Sequence, residues 1–96
     1  MQTIRQEIIA LLIRQEMDAR QISGQIGIQE KEVIGHLCHI ARSLAVKGKK
    51  LSIHPAECLL CGYRFEKRRR FTRPGRCPRC KKSPLQSPGF YITTFV

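Results

Sequence analysis

The sequence predicts an α+β protein: three helices in its first half, then a short strand, then a small β unit built around four cysteines. Three observations carry this expectation. Apolar residues recur at helical spacing as far as Val46. Leu51 and Ile53 then alternate with polar residues, as on a strand that ends at Pro55. Beyond that, the pairs Cys58-x-x-Cys61 and Cys77-x-x-Cys80 stand fifteen residues apart, from Gly62 to Arg76.

The first helix is expected from Thr3 to about Gln15, with Ile4, Ile8, Leu11 and Leu12 on one side. Thr3 followed by Gln6 has the spacing of a capping box, in which each residue satisfies a backbone amide at the other's position. Gln15 to Met17 interrupts the pattern. Asp18 then offers a new N-cap to a short helix that buries Ile22 and Ile26, and Gly27 is placed to end it in a left-handed conformation. A third helix is expected from about Gln29 to Val46, burying Val33, Leu37, Ile40 and Leu44. Gly35 inside it costs about 1 kcal/mol of helix propensity relative to alanine, and close approach to another backbone is the expected reason. The other helix pair connection, a glycine turn between a short and a longer helix, fits a helix-turn-helix. The segment Ser83 to Ile92 is expected to close the C-terminal unit with a last strand.

The cysteines carry the most specific chemistry. A Cys-x-x-Cys knuckle brings two thiolates together, and two knuckles supply the four sulfurs of a tetrahedral metal site. Gly62 follows the first knuckle where the chain must turn back, and Pro74-Gly75 turns it into the second. Four thiolates favour one structural Zn²⁺; iron is the competitor, since Cys-x-x-Cys-Gly-Tyr is similar to rubredoxin-like sites. Four protein ligands leave no open position for catalysis. With no Ser/His/Asp cluster or paired carboxylates either, the chain reads as a non-enzyme. In a unit this small, metal binding is folding energy, so chelation is expected to unfold residues 56–92. Cys38 stands outside the pairs and reads as a small buried hydrophobe. Of the histidines, His36 reads as half-buried, His39 as outward-facing, and His54 as no metal ligand because four sulfurs already suffice.

Charge is unevenly placed. Residues 1–46 are neutral, with five basic and five acidic side chains; residues 47–96 hold thirteen basic and two acidic ones, and so the whole net charge of +11. Such asymmetry points to a polyanion. The candidate contacts are Lys31, His39 and Arg42 on the outer face of the third helix and Lys47, Lys49 and Lys50 after it. Lys67, Arg68, Arg69, Arg70, Arg73, Arg76, Arg79, Lys81 and Lys82 follow in the cysteine unit. Tyr63, Phe65 and Phe71 interleave with this charge and read as that unit's small core. Glu30 and Glu32 favour the helix dipole but oppose phosphate, so the third helix is poorly equipped to bind DNA alone. No apolar run is long enough to span a membrane, and Met1 to Arg5 lacks a signal-peptide pattern, so a cytoplasmic location is expected. Val96 offers an apolar contact to the rest of the chain or to a second copy, which leaves a homodimer open.

Asp18 to Leu37 resembles the winged helix-turn-helix of many prokaryotic transcription regulators, carried by Ile22, Ile26, Gly27, Ile28, Val33, His36 and Leu37. With Glu57 to Phe65, Arg73 to Lys81 and Gly89 to Ile92, the whole chain resembles small prokaryotic predicted transcriptional regulators with such a domain fused to a C-terminal zinc ribbon. The resemblance implies a winged helix-turn-helix domain at 1–55 and a four-cysteine zinc-ribbon domain at 56–96. It implies a recognition helix from Gln29, a wing including Lys47 to Ile53, and double-stranded DNA as partner. An adaptor binding RNA, ribosome or RNA polymerase is the alternative. A metal-delivery protein is a third reading; it is disfavoured because nickel chaperones with such ribbons use a histidine next to the initiator Met, where this chain has Gln2.

Overall fold

The computed structural model of the chain describes residues 3–66 and 70–94. Lys67, Arg68, Arg69 and Val96, named above as candidate contacts, lie outside the described residues. Helix α1 runs Ile4–Arg14, strand β1 Met17–Asp18, α2 Ala19–Ile26 and α3 Glu30–Val46. Strands β2 (Lys49–His54), β3 (Glu57–Cys58), β4 (Leu85–Gln86) and β5 (Gly89–Thr94) follow.

Local sequence explains the helix ends. The Gln6 amide donates to Thr3 Oγ1 at 3.2 Å while the Thr3 amide donates to Gln6 Oε1 at 2.9 Å. Asp18 and Gln21 form the same reciprocal pair at the start of α2, at 2.7 and 2.9 Å. Each box satisfies two amides that the helix itself leaves unpaired. Gly27 ends α2 at φ +84°, a left-handed conformation that costs a residue with a Cβ about 1–2 kcal/mol. The Ser23 hydroxyl then donates to the Ile28 carbonyl and ties the turn leading into α3.

The three helices bury Ile8, Leu12, Ile22, Val33, Leu37, Ile40 and Leu44 together. Two antiparallel sheets complete the fold, β1-β5-β2 and β3-β4. In the first, Leu51 lies opposite Ile92 and Ile53 opposite Phe90, and all four side chains pack on the helical core. Phe90 is fully buried there. The small β unit has a separate core of Cys58, Cys77 and Leu85, flanked by Tyr63 and Phe65.

The α+β class, the three helices and the small antiparallel sheet are as the sequence predicts, but four local expectations are corrected. The last strand does not close the cysteine unit: β5 pairs with β2 along six residues and with β1 at Met17 and Asp18. Phe90 and Ile92 gain more burial against three helices than the few apolar side chains of the cysteine unit can provide. A division at Pro55/Ala56 therefore separates β2 from the strand it pairs with, and residues 55–88 form an insertion between those two strands. Phe71 leaves the cysteine core too; its ring meets Phe90 edge to face at 5.7 Å. Cys38 is exposed, because it lies about 100° round α3 from the inward-facing Leu37. Gly35 is not needed for a close backbone approach within the chain, since a Cβ built there meets nothing within 4 Å.

Candidate metal centre and basic surface

The four cysteines come from two loops of the insertion with matching backbone geometry. In the first, the Gly62 amide donates to the Cys58 carbonyl at 3.0 Å and the Cys58 amide to the Tyr63 carbonyl at 2.8 Å. In the second, the Lys81 amide donates to the Cys77 carbonyl at 2.9 Å and the Cys77 amide to the Lys82 carbonyl at 2.9 Å. Both loops turn back through a left-handed residue, Gly62 at φ +78° and Lys81 at φ +64°. Glycine takes that conformation freely, whereas Lys81 adopts it against the preference of a side chain with Cβ. Pairing of Glu57 with Gln86 and Cys58 with Leu85 holds the first loop against the chain that leaves the second. Tyr63 and Phe65 stack edge to face at 5.0 Å beside the sulfurs.

This frame puts the four Sγ atoms within 4.8 Å of one another. Cys58 and Cys80 are 3.6 Å apart, as are Cys61 and Cys77, and all four thiols are free rather than disulfide-bonded. A tetrahedron with metal–sulfur bonds of about 2.3 Å has sulfur–sulfur edges of about 3.8 Å, so the cluster is dimensioned for one metal ion. Cys58 and Cys77 are buried, and Cys61 and Cys80 are half-buried.

The protonation states are unequal before any metal enters. The Cys61 amide, with that of Leu60, lowers Cys58 to about 6, outweighing the effect of burial. Cys61 is raised to about 11: the Tyr63 amide favours its thiolate, but burial and the three neighbouring sulfurs oppose it more strongly. Burial raises Cys77, yet the amides of Cys80 and Arg79 bring it below the ordinary thiol value. Cys80 is pushed up by burial and by Cys58 and Cys77, against the Lys82 amide. His54 takes no part in the cluster; its Nδ1 lies 3.3 Å from a Glu16 carboxylate oxygen.

The basic candidates fall into groups. Lys31, His39 and Arg42 are exposed on α3, and Lys47 and Lys50 are exposed just after it, with Lys49 half-buried. Arg70, Arg73, Arg76, Arg79, Lys81 and Lys82 are exposed on the insertion. Lys31 and Arg73 border one cleft, where they are joined by Arg20. His39 and Arg42 border a second hollow with Arg5, whose Nε donates to His36 Nδ1 at 3.3 Å. Arg20 and Arg5 lie outside the third helix and the basic second half, where the sequence points to contacts; only folding places them beside candidate contacts. No helix among the described residues is long and apolar enough to cross a membrane.

Fold and cysteine cluster together define a small α+β protein with a four-thiolate metal-binding insertion. Residues 3–52 match the family described as PF0610-like, N-terminal, and the chain belongs to that family. It is similar to protein PF0610 from Pyrococcus furiosus, solved by solution NMR. The two are 28% identical, the match covers 94% of this chain and 88% of that one, and the TM-score is 0.78. No curated protein matches the chain.

Proposed function

We propose that this protein is a DNA-binding transcriptional regulator: α2 and α3 serve as the helix-turn-helix, β2 and β5 as its wing, and the insertion as a ribbon held by one structural Zn²⁺. The observation that carries the reading is the position of the charge. All of the +11 excess lies in residues 47–96, and that half meets α3 where Arg73 and Lys31 border one cleft. A polyanion lying along the outer face of α3 would then meet the insertion's cations at once. In this arrangement α3 supplies base contacts, and the wing and insertion supply most phosphate affinity.

Zinc is favoured by the donor set, since four thiolates in a tetrahedron suit it and leave no coordination position for a substrate. Its part is to hold the two loops together, so that Arg73, Arg76, Arg79, Lys81 and Lys82 project from a fixed frame. Elemental analysis of protein purified without added metal separates zinc from iron.

Selection of bound sequences from random DNA and RNA pools tests the function. A double-stranded DNA consensus is expected. If about five phosphates are neutralised, log affinity falls with log salt at a slope of about −4.5. Salt-independent binding, or no enrichment from either pool, would overturn the reading. Enrichment of RNA favours the adaptor reading, which has its own supporting feature: Leu59 and Leu60 stand exposed on the first cysteine loop, at 64% and 62%. Adjacent leucines that exposed suit a protein surface better than a nucleic-acid backbone.

A further inference from the structure

The cleft shared by Lys31 and Arg73 is a concave part of the basic surface. Its volume is about 460 Å³, within the range of roughly 300–1,000 Å³ common for small-molecule pockets. Three parts of the chain form it: the start of α2, the first turns of α3, and the insertion near residues 71–73 and 87–88. Its chemistry is mixed. Arg20, Lys31 and Arg73 bring three cations to it, and Glu30 brings the one carboxylate. None of these four takes part in the ion pairs among the described residues, which are His54–Glu16 and Arg64–Glu66. Ile34, Phe71 and Pro88 give it an apolar side, and Thr72 and Ser87 add hydroxyl groups to the lining. Phe71 is anchored by its ring contact with Phe90, so that wall is fixed to the helical core.

A bare anion would use the cations and leave the apolar wall unmatched. A phosphate of duplex DNA would meet protruding side chains, and it has no means of filling a recess with an apolar side. A ligand matching all three features carries a phosphate, hydroxyl groups for a carboxylate, and a flat apolar body. We propose that the cleft binds a ribonucleoside monophosphate. Its phosphate lies among Arg20, Lys31 and Arg73, its ribose hydroxyls donate to Glu30, and its base lies against Ile34, Phe71 and Pro88. Charge-assisted contacts supply most of the affinity, and the wall selects nucleotide over free phosphate. The ligand would join α3 to the insertion and neutralise Lys31, which gives the two halves a small-molecule link. The site does not depend on the DNA-binding reading.

The test uses the full metal-loaded chain and amide-resolved NMR. The four common ribonucleoside monophosphates, adenosine, inorganic phosphate and a DNA duplex are titrated separately. Saturable shifts with at least one monophosphate are expected, concentrated at residues 19–20, 30–34, 71–73 and 87. Adenosine and inorganic phosphate should each bind about tenfold or more weakly, since each lacks part of the ligand. The double variant Arg20→Ala/Arg73→Ala should lose about tenfold or more in nucleotide affinity while the spectrum away from the cleft is unchanged; Arg14→Ala, at an exposed residue of α1, should lose nothing. The proposal is overturned if no monophosphate gives saturable shifts, if phosphate alone binds as well, or if the duplex is the only ligand that perturbs the cleft. A chain that binds nucleotide but no duplex would refute the regulator reading and leave this one standing.

Discussion

Phe90 is where the fold departs most from a division into two consecutive domains, and its truncation tests that departure. The side chain is fully buried among the helices, although it lies beyond all four cysteines in the chain. Phe90→Ala should cost about 3–5 kcal/mol, the usual loss for removing a buried phenyl ring. A chain of 96 residues has a total stability of about 5–14 kcal/mol at typical values per residue. The loss is therefore at least about a fifth of the whole. With a urea dependence of about 1.5 kcal/mol per molar, the midpoint falls by about 2–3 M. Urea unfolding of the metal-loaded protein, followed by far-UV circular dichroism, reads the helices directly. Phe90→Leu, which keeps most of the apolar volume and should cost less than the alanine variant, keeps the experiment decisive if the alanine variant does not fold. Leu85→Ala is the complementary variant, since Leu85 packs in the cysteine core; it should weaken metal retention and leave the helical transition nearly in place. The reasoning fails if Phe90→Ala leaves the helical midpoint unchanged and instead releases the metal.

Four other outcomes are expected. Chelation should remove amide protection over residues 56–88 while the helices and the β2–β5 pairing persist, because the helical core contains no cysteine; loss of all helical signal would contradict it. Metal uptake just above neutral pH should release fewer than four protons, because Cys58, at about 6, is already a thiolate while Cys61, at about 11, is not. The count should fall and the apparent affinity rise as pH increases, which titration in weak buffer can follow; release of all four protons would refute the inequality. Gly35→Ala fills open space on α3 and should add about 0.8–1 kcal/mol, seen as a thermal midpoint higher by about 4–8 °C; a lower midpoint would mean that the space is not open. Lys81→Gly relieves a left-handed residue worth about 1 kcal/mol and should tighten metal binding up to about fivefold in competition with a chelator; weaker binding would argue against strain at that turn.

Much of this protein is written in short-range pattern. The helices, the capping boxes at Thr3 and Asp18, the left-handed stop at Gly27 and the two cysteine loops each depend on residues within a few positions of one another. Such features are legible because propensity, hydrogen bonding and side-chain spacing settle them locally. Even the +11 charge and its confinement to residues 47–96 need no structure.

Only tertiary structure decided which partners the distant segments chose. The alternation in Gly89 to Ile92 announces a strand, but two apolar surfaces compete for it, and the helices win by offering Phe90 and Ile92 more area to bury. That choice turns the four-cysteine unit from an appended domain into an insertion between β2 and β5. It carries Phe71 onto the helical core and brings Arg73 within reach of the cleft that holds Arg20 and Lys31. Burial is a sum over the whole molecule, so no window of sequence contains it. The cysteines determined that a metal could be held; the packing of β5 determined where the charge around it would be delivered.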